Sequence, residues 1–212
     1  MCFFWCCSLA DDRVLRLVLA SESPRRKALL ESAGIVPLVV PSNADEEILE
    51  AGGLEPGELV KALARRKIRR VVAGRPEDYV LGADTIVFID GRVLGKPRDR
   101  EDASEMLRAI SGRTHEVYTG IALYEPRGRT VLDDFDVTPV TVRRMDEDEI
   151  RWYVDTGEPM DKAGSYALQG TGGFFVTRID GDSSSVVGLP LPKVYELLRR
   201  AGVALDEILT RE

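Results

Sequence analysis

Histidine is almost absent from this chain, cysteine is confined to one end, and no apolar run is long enough to cross a membrane. Each scarcity excludes a class of chemistry. All 3 cysteines, Cys2, Cys6 and Cys7, fall in the opening MCFFWCCSLADDR, so nothing downstream can pair with them. That rules out a disulfide framework, and the single histidine, His115, cannot complete a zinc site with thiols so clustered. A reducing cytoplasm is the default location. Net positive charge is also missing: the formal charge is −7 over 212 residues. The balance argues against a general nucleic-acid coat or an anionic-membrane binder, while leaving room for a local basic cleft. The apolar start lacks a basic n-region and is short for a signal peptide. Residues 1–13 are therefore read as a tail, disordered or upstream of the natural start, and 14–212 as a single domain.

What is present begins with Leu17 to Gly34, LVLASESPRRKALLESAG. Leu17, Val18 and Leu19 suit a short buried strand, and Ser23-Pro24 supplies an N-cap and a proline for the first helical position. Gly34 stops the helix. Arg25 and Arg26 oppose the partial positive charge at a helix start. An anion bound there, met by N–H groups, the Ser21 or Ser23 hydroxyl and two guanidiniums, would account for them. Taken alone, the motif fits a solvated arginine pair better, so the rest of the chain must decide.

Val36 to Val40 reads as a second strand, followed by a turn and the acidic group Asp45, Glu46 and Glu47, which suits a metal or plain helix capping. Gly57 to Ala73 is an amphipathic helix with Val60, Leu63, Ala64, Ile68 and Val71 on one face and Arg65, Arg66, Arg69 and Arg70 pointing away. Lys67 sits on the edge of the apolar stripe, either snorkelling or aimed into a cleft. Tyr79 to Ile89 is the most strand-like run, turned by Asp90-Gly91 into a hairpin with Arg92 to Leu94. Asp84 interrupts it, and a carboxylate inside a buried strand is costly unless paired or bound to metal. Gly95-Lys96-Pro97 puts a lysine at a rigid bend.

Asp99 to Ile110 is a capped scaffold helix, Glu116 to Tyr124 and Thr130 to Met145 supply two or three strands, and Asp146 to Val154 is a short helix with a capping box. His115, without histidine or cysteine neighbours, is a hydrogen-bonded structural residue. Gly157 to Gly173, GEPMDKAGSYALQGTGG, is a glycine-rich loop with neither a Walker signature nor G-x-G-x-x-G. Phe174 to Ile179 is a strand, and Val186 to Leu189 leads into a terminal helix from Lys193 to Ala201.

Arg25, Arg26, Lys67 and Lys96 as cations, with Glu46 and Asp84 as carboxylates, suit phosphate chemistry. Serine-based acyl transfer is disfavoured, since there is no G-x-S-x-G elbow. Spacing leaves open which phosphorus of a phosphoanhydride would be attacked.

At this point the chain resembles a known family, the Maf-like nucleotide pyrophosphatases, also called septum-formation inhibitor Maf proteins. The resemblance runs from about Val14 to Gly202 through the ordered blocks LVLASESPRRKALL, GADTIV, GKP, LRAISGRTHEVYTG, and GEPMDKAGSYALQG with IDGDSSSVVGLPL. It implies an α/β fold with an elongated mixed twisted sheet in two lobes, flanking helices and a central cleft, similar to inosine triphosphate pyrophosphatases. It also implies cleavage between the α and β phosphates of a nucleoside triphosphate, with Mg²⁺ or Mn²⁺, and a homodimer. Carried over by motif, Asp84 is the base that activates water, or a metal ligand orienting it, and Glu46 is its metal-binding partner. Ser21, Arg25, Arg26, Lys67 and Lys96 match phosphate-binding positions. The GEPMDKAGSYALQG form resembles the branch acting on dTTP and UTP, with Arg25, Thr85 and Gln169 at its specificity positions. A 7-methyl-GTP pyrophosphatase and a non-enzymatic nucleotide-binding regulator of cell division are the alternatives.

Overall fold

The structure, a computed structural model, describes residues 15–42 and 54–208. Strand β1 (Leu17–Leu19) is wholly buried and leads into α1 (Pro24–Ser32), after which Gly34 takes the left-handed conformation at φ +80°. Strand β2 is only Leu38–Val39, shorter than the expected Val36 to Val40. Pro37 has no N–H to give a ladder, and both β2 residues are exposed at the sheet edge. Helix α2 (Pro56–Val72) carries Glu58 in its first turn and Arg69 and Arg70 in its last, matching its dipole.

Strand β3 (Tyr79–Ile89) turns through Asp90 and Gly91, both at positive φ, into β4 (Arg92–Leu94). Helix α3 (Arg100–Ile110) is capped by the Asp99 carboxylate, which accepts from the Asp102 N–H. Strands β5 (Thr114–Glu125) and β6 (Thr130–Val142) form a long antiparallel pair, and α4 (Glu147–Asp155) opens on the expected Asp146 and Glu149 capping box. The glycine-rich loop folds as three short 3₁₀ turns ahead of β7 (Val176–Ile179).

Three elements depart from the sequence reading near the C-terminus. A helix, α5 (Ser183–Val187), stands where only a connection was expected, because the Asp182 carboxylate accepts the Ser184 N–H and starts a turn in a serine run. The next helix, α6 (Leu191–Arg200), begins before Lys193 with Pro192 in its first turn, and a short α7 (Leu205–Ile208) follows. No described helix is long and apolar enough to cross a membrane.

The strands make one mixed sheet, β2-β1-β3-β5-β6-β7, with β4 also paired to β3. Strand β1 is parallel to β2 and β3, and all other pairs are antiparallel. Four apolar clusters pack against the sheet, and the two largest are strung along the same long strands. Near the start of β3, Leu81 and Ala83 pack with Leu19, with Ile121 and Leu123 of β5, and with Leu197 of α6. Beyond the middle of β3, Val87 and Ile89 pack with Val117, with Leu107 and Ile110 of α3, and with Ile150 and Tyr153 of α4. These cores are the centres of two lobes.

Between the lobes the β3 edge is uncovered. Strand β5 accompanies β3 from Val80 to Phe88 on one side. On the other side β1 stops at Leu81 and β4 begins at Val87, leaving residues 82–86 without a strand neighbour. Side chains alternate across a strand, so Asp84 and Thr85 point to opposite faces, yet both are reached through this opening. Helix α2 lies close over it because of two glycines: a Cβ on Gly120 would come within 2.4 Å of the Val60 backbone, and one on Gly82 within 3.0 Å of the Ala64 carbonyl. Close approach by α2 is what lets a lysine on that helix reach Asp84.

Candidate active site

A cavity of about 540 Å³ opens at the gap in the sheet. Asp84 is on its floor with 16 % of its side chain exposed, and Lys67, 11 % exposed, reaches down from α2 to place Nζ 2.5 Å from Asp84 Oδ1. The same ammonium donates to the Ala83 carbonyl at 3.4 Å. Lys67 thus points into the cleft and does not snorkel outward. The short ammonium–carboxylate bond, away from bulk water, fixes the orientation of the Asp84 carboxylate, and among the described residues its Oδ2 makes no hydrogen bond.

The two arginines of α1 both line the cavity but do different things. Arg26 turns inward: Nε donates to the Gly188 carbonyl at 2.8 Å, Nη1 to Ser21 Oγ at 3.2 Å, and Nη2 to Thr85 Oγ1 at 3.3 Å. Thr85 Oγ1 shares a hydrogen with Thr119 Oγ1 at 3.0 Å, and the buried Thr119 donates to the Ser185 carbonyl at 2.8 Å. Helices α1 and α5 are tied in this way to the middle of β3 and β5. Arg25 instead reaches Asp161 of the glycine-rich loop at 3.4 Å, and Lys162 pairs with the same carboxylate. Burial works to raise the Asp161 carboxyl, but the Lys162 and Arg25 charges outweigh it and hold it below the ordinary carboxylate value.

At the start of α1, Ser23 stands at the N-cap position but makes no side-chain cap bond, and its own N–H is taken by Ser21 Oγ at 3.2 Å. Lys96 lines the opposite rim, on a bend joined to the glycine-rich loop by the Gly164 N–H donating to the Gly95 carbonyl at 3.0 Å. Gln169 also lines the cavity.

The structure therefore brings together Ser21, Arg25, Arg26, Lys67, Asp84, Thr85, Lys96 and Gln169 around one cavity. Glu46 and its acidic neighbours lie outside the described residues, as does the 1–13 segment.

Other lining residues were not legible as such. Arg66, expected to point away with Arg65, lines the cavity, while Arg65 is held by Asp133 at 2.7 Å. Asp161, Lys162 and Tyr166 also face it. The lining divides by chemistry into the charged groups above and an apolar wall that includes Ile86, Val117, Tyr166, Leu168 and Val186. A cavity of this size with a cationic part and an apolar part suits a ligand that is charged at one end and flat and apolar at the other.

His115 stands behind the wall. It is 2 % exposed, and its Nε2 is 2.8 Å from the Tyr166 hydroxyl, in keeping with a structural histidine. Burial pushes its pKa down to about 4, and the same burial pushes the Tyr166 phenol up.

The Maf-like protein family model matches residues 16–201. The dTTP/UTP pyrophosphatase of Anaeromyxobacter dehalogenans (strain 2CP-C) is 50 % identical over 192 residues, covering 90 % of this chain and 96 % of its own. That of Koribacter versatilis is 48 % identical over 187 residues, covering 88 % and 95 %. That of Bacillus pumilus is 45 % identical over 188 residues, covering 89 % and 97 %. With a family match spanning both lobes and relatives this similar over nearly their whole length, the chain belongs to the Maf-like protein family.

Proposed function

We propose that this protein hydrolyses the α–β phosphoanhydride of pyrimidine nucleoside triphosphates, dTTP and UTP among them, to a nucleoside monophosphate and pyrophosphate, using Mg²⁺ or Mn²⁺. Relatives named dTTP/UTP pyrophosphatase, nearly half identical over most of the chain, support the substrate class. The observation that carries the chemistry is the Lys67–Asp84 pair on the floor of a cavity that Arg25, Arg26 and Lys96 also line.

The cations would take the phosphate oxygens, with Arg26 and Lys96 approaching from opposite rims. Water oxygen bonds to phosphorus, the bridging P–O bond breaks toward pyrophosphate, and the proton released by water passes to Asp84. Lys67 holds one oxygen of Asp84 in place, so the other is free to orient water and accept its proton. The donor chemistry also fits a divalent ion: Asp84 Oδ2 makes no hydrogen bond among the described residues, and a triphosphate supplies the further oxygens that Mg²⁺ requires. Were Asp84 to hold the ion, with Glu46 as the proposed second ligand, the ion would supply charge neutralisation and a more acidic water, and Asp84, instead of serving as the base, would orient that water while its proton leaves to solvent.

The apolar wall would receive the base, where the Gln169 amide offers one donor and one acceptor to the N3–H and O4 edge of uracil or thymine. Arg25, Thr85 and Gln169 are the proposed specificity positions, and Arg26 joins them because it is the arginine that meets Thr85.

Product analysis on dTTP, UTP, CTP and 7-methyl-GTP, with and without Mg²⁺ after chelation, tests the reading. Monophosphate and pyrophosphate should form from dTTP and UTP only when the metal is restored. Preference for 7-methyl-GTP, or release of orthophosphate, would overturn it.

A further inference from the structure

Gln169 sits in a segment with neither helix nor strand to hold it, yet the backbone on both sides is pinned to one tyrosine–glutamate pair. Glu158 Oε1 accepts the Gly172 N–H at 2.9 Å and Oε2 accepts the Thr171 N–H at 3.0 Å. The Tyr153 hydroxyl, from the buried face of α4, donates to Glu158 Oε1 at 2.8 Å and accepts the Ala167 N–H at 3.1 Å. Ala167 precedes the three residues Leu168, Gln169 and Gly170, and Thr171 and Gly172 follow them. Both ends of the arch therefore terminate on the Tyr153–Glu158 dyad.

The fit is close as well as bonded. Gly170 is at φ +125°, and a Cβ there would lie 2.7 Å from Glu158 Oε2. A Cβ on Gly172 would lie 2.4 Å from the Tyr153 hydroxyl. Neither glycine leaves room for the arch to settle elsewhere against the dyad. Tyr153 is fully buried and stacks edge-on with Phe175 at 5.2 Å, so the anchor is itself fixed by the lobe core. The ammonium of Lys162, another cavity-lining residue, donates to the Glu158 backbone carbonyl at 3.3 Å. Burial works to raise the Glu158 carboxyl, and the N–H groups of Gly172 and Thr171 with the Tyr153 hydroxyl overcome it, keeping it below the ordinary value.

We propose that Glu158 and Tyr153 are positioning residues for base recognition, gripping both ends of the 168–170 arch so that the Gln169 amide meets the base edge in one fixed orientation. The proposal rests on the reading above, in which Gln169 reads uracil or thymine. The dyad touches neither Asp84 nor Lys67, which are held by β3 and α2. Its loss therefore falls on discrimination between bases and on KM, while a merely structural lesion would depress every substrate alike.

The test compares kcat and KM for UTP and CTP in the wild type, Tyr153→Phe and Glu158→Gln, all with Mg²⁺. Tyr153→Phe removes the link between Glu158 and Ala167. Glu158→Gln sets an amide N–H₂ against a backbone N–H that needs an acceptor. Each variant should lower kcat/KM for UTP about ten-fold or more, mainly through KM, and change that for CTP by less than about three-fold. The double variant should be little worse than Glu158→Gln alone, since both act through one clamp. Equal losses on UTP and CTP would overturn the proposal and leave the proposed function standing. A wild type indifferent between UTP and CTP would instead overturn the base-reading role of Gln169. Should either variant fail to fold by circular dichroism, amide hydrogen exchange on the wild type decides: the Ala167, Thr171 and Gly172 N–H groups should be strongly protected, and exchange at unstructured rates would overturn the clamp.

Discussion

Acidification should destabilise this protein through one imidazole. His115 is the chain's only histidine, it is 2 % exposed, and its Nδ1 is buried without a hydrogen-bond partner among the described residues. Tyr166, its one polar neighbour through Nε2, carries no charge to stabilise an imidazolium. The folded state thus holds the ring neutral down to a pKa of about 4, against about 6.5 when unfolded. Because the folded pKa is the lower one, the unfolded chain binds more protons between those values. Stability from this group is complete above about pH 6.5 and is lost as the pH falls toward 4. Linkage gives a loss of roughly 2 kcal/mol at about pH 5, approaching about 3 kcal/mol below about pH 4.

Urea unfolding at a series of pH values from about 7.5 to about 5 measures this directly, with His115→Gln as the control. The wild type should lose stability with a slope approaching one proton per molecule, and the variant should be nearly flat over the same range. Carboxylates that titrate lower are common to both proteins and cancel in the difference. A wild-type profile as flat as the variant's would refute the argument that burial dominates at His115. So would an equal slope in both, which would place the titrating group elsewhere.

Asp84→Asn should reduce kcat about 10²-fold or more while leaving binding of a non-hydrolysable α,β-methylene UTP within a few-fold by calorimetry; a kcat within about ten-fold of wild type would remove Asp84 from the chemistry. Arg26→Lys cannot reproduce a fork that serves Gly188, Ser21 and Thr85 at once, so KM for UTP should rise about ten-fold, and an unchanged KM would count against the arginine as a phosphate and specificity contact. Gly120→Ala drives a methyl into the Val60 backbone and should cost about 1–3 kcal/mol in urea unfolding, with loss of turnover as α2 and Lys67 move away from Asp84; full stability would show that the helix can yield.

Much of the fold was legible because local signals agree with the tertiary outcome. The β-branched run of β3 and its Asp90-Gly91 turn mark the ends the strand has, and the caps at Asp99 and Asp146 form as read. Reading fails where a single residue or a very short element decides. Pro37 cuts β2 to two residues, and the five residues of α5 are too few to show a helical period. In the site, charge at the wrong end of α1 and the edge spacing of Lys67 point to the cleft, and Arg25, Arg26 and Lys67 all line it. Which of two adjacent residues faces the opening is beyond pattern reading. Neighbouring positions on a helix are about 100° apart, and only the packing of α1 against β3 and α5 selects Arg26 over Arg25 for Thr85. The turn of Arg66 toward the cavity has the same origin. The Tyr153–Glu158 clamp is hidden because its partners are loop amides, which have no signature in sequence.

The uncovered stretch of β3 also constrains how the enzyme can move. Strands β3, β5 and β6 run unbroken past the opening, each contributing side chains to the packing on both sides of it. They act as a common beam, and swinging one lobe toward the other would bend several hydrogen-bonded strands at once. Closure around a nucleotide must therefore come from the rims, where α1 meets the glycine-rich loop through Arg25 and Asp161. Asp84 is carried by that beam, and α2, which carries Lys67, is seated on it at Gly82 and Gly120, so the distance between Lys67 and Asp84 should be the same with the cavity empty or full.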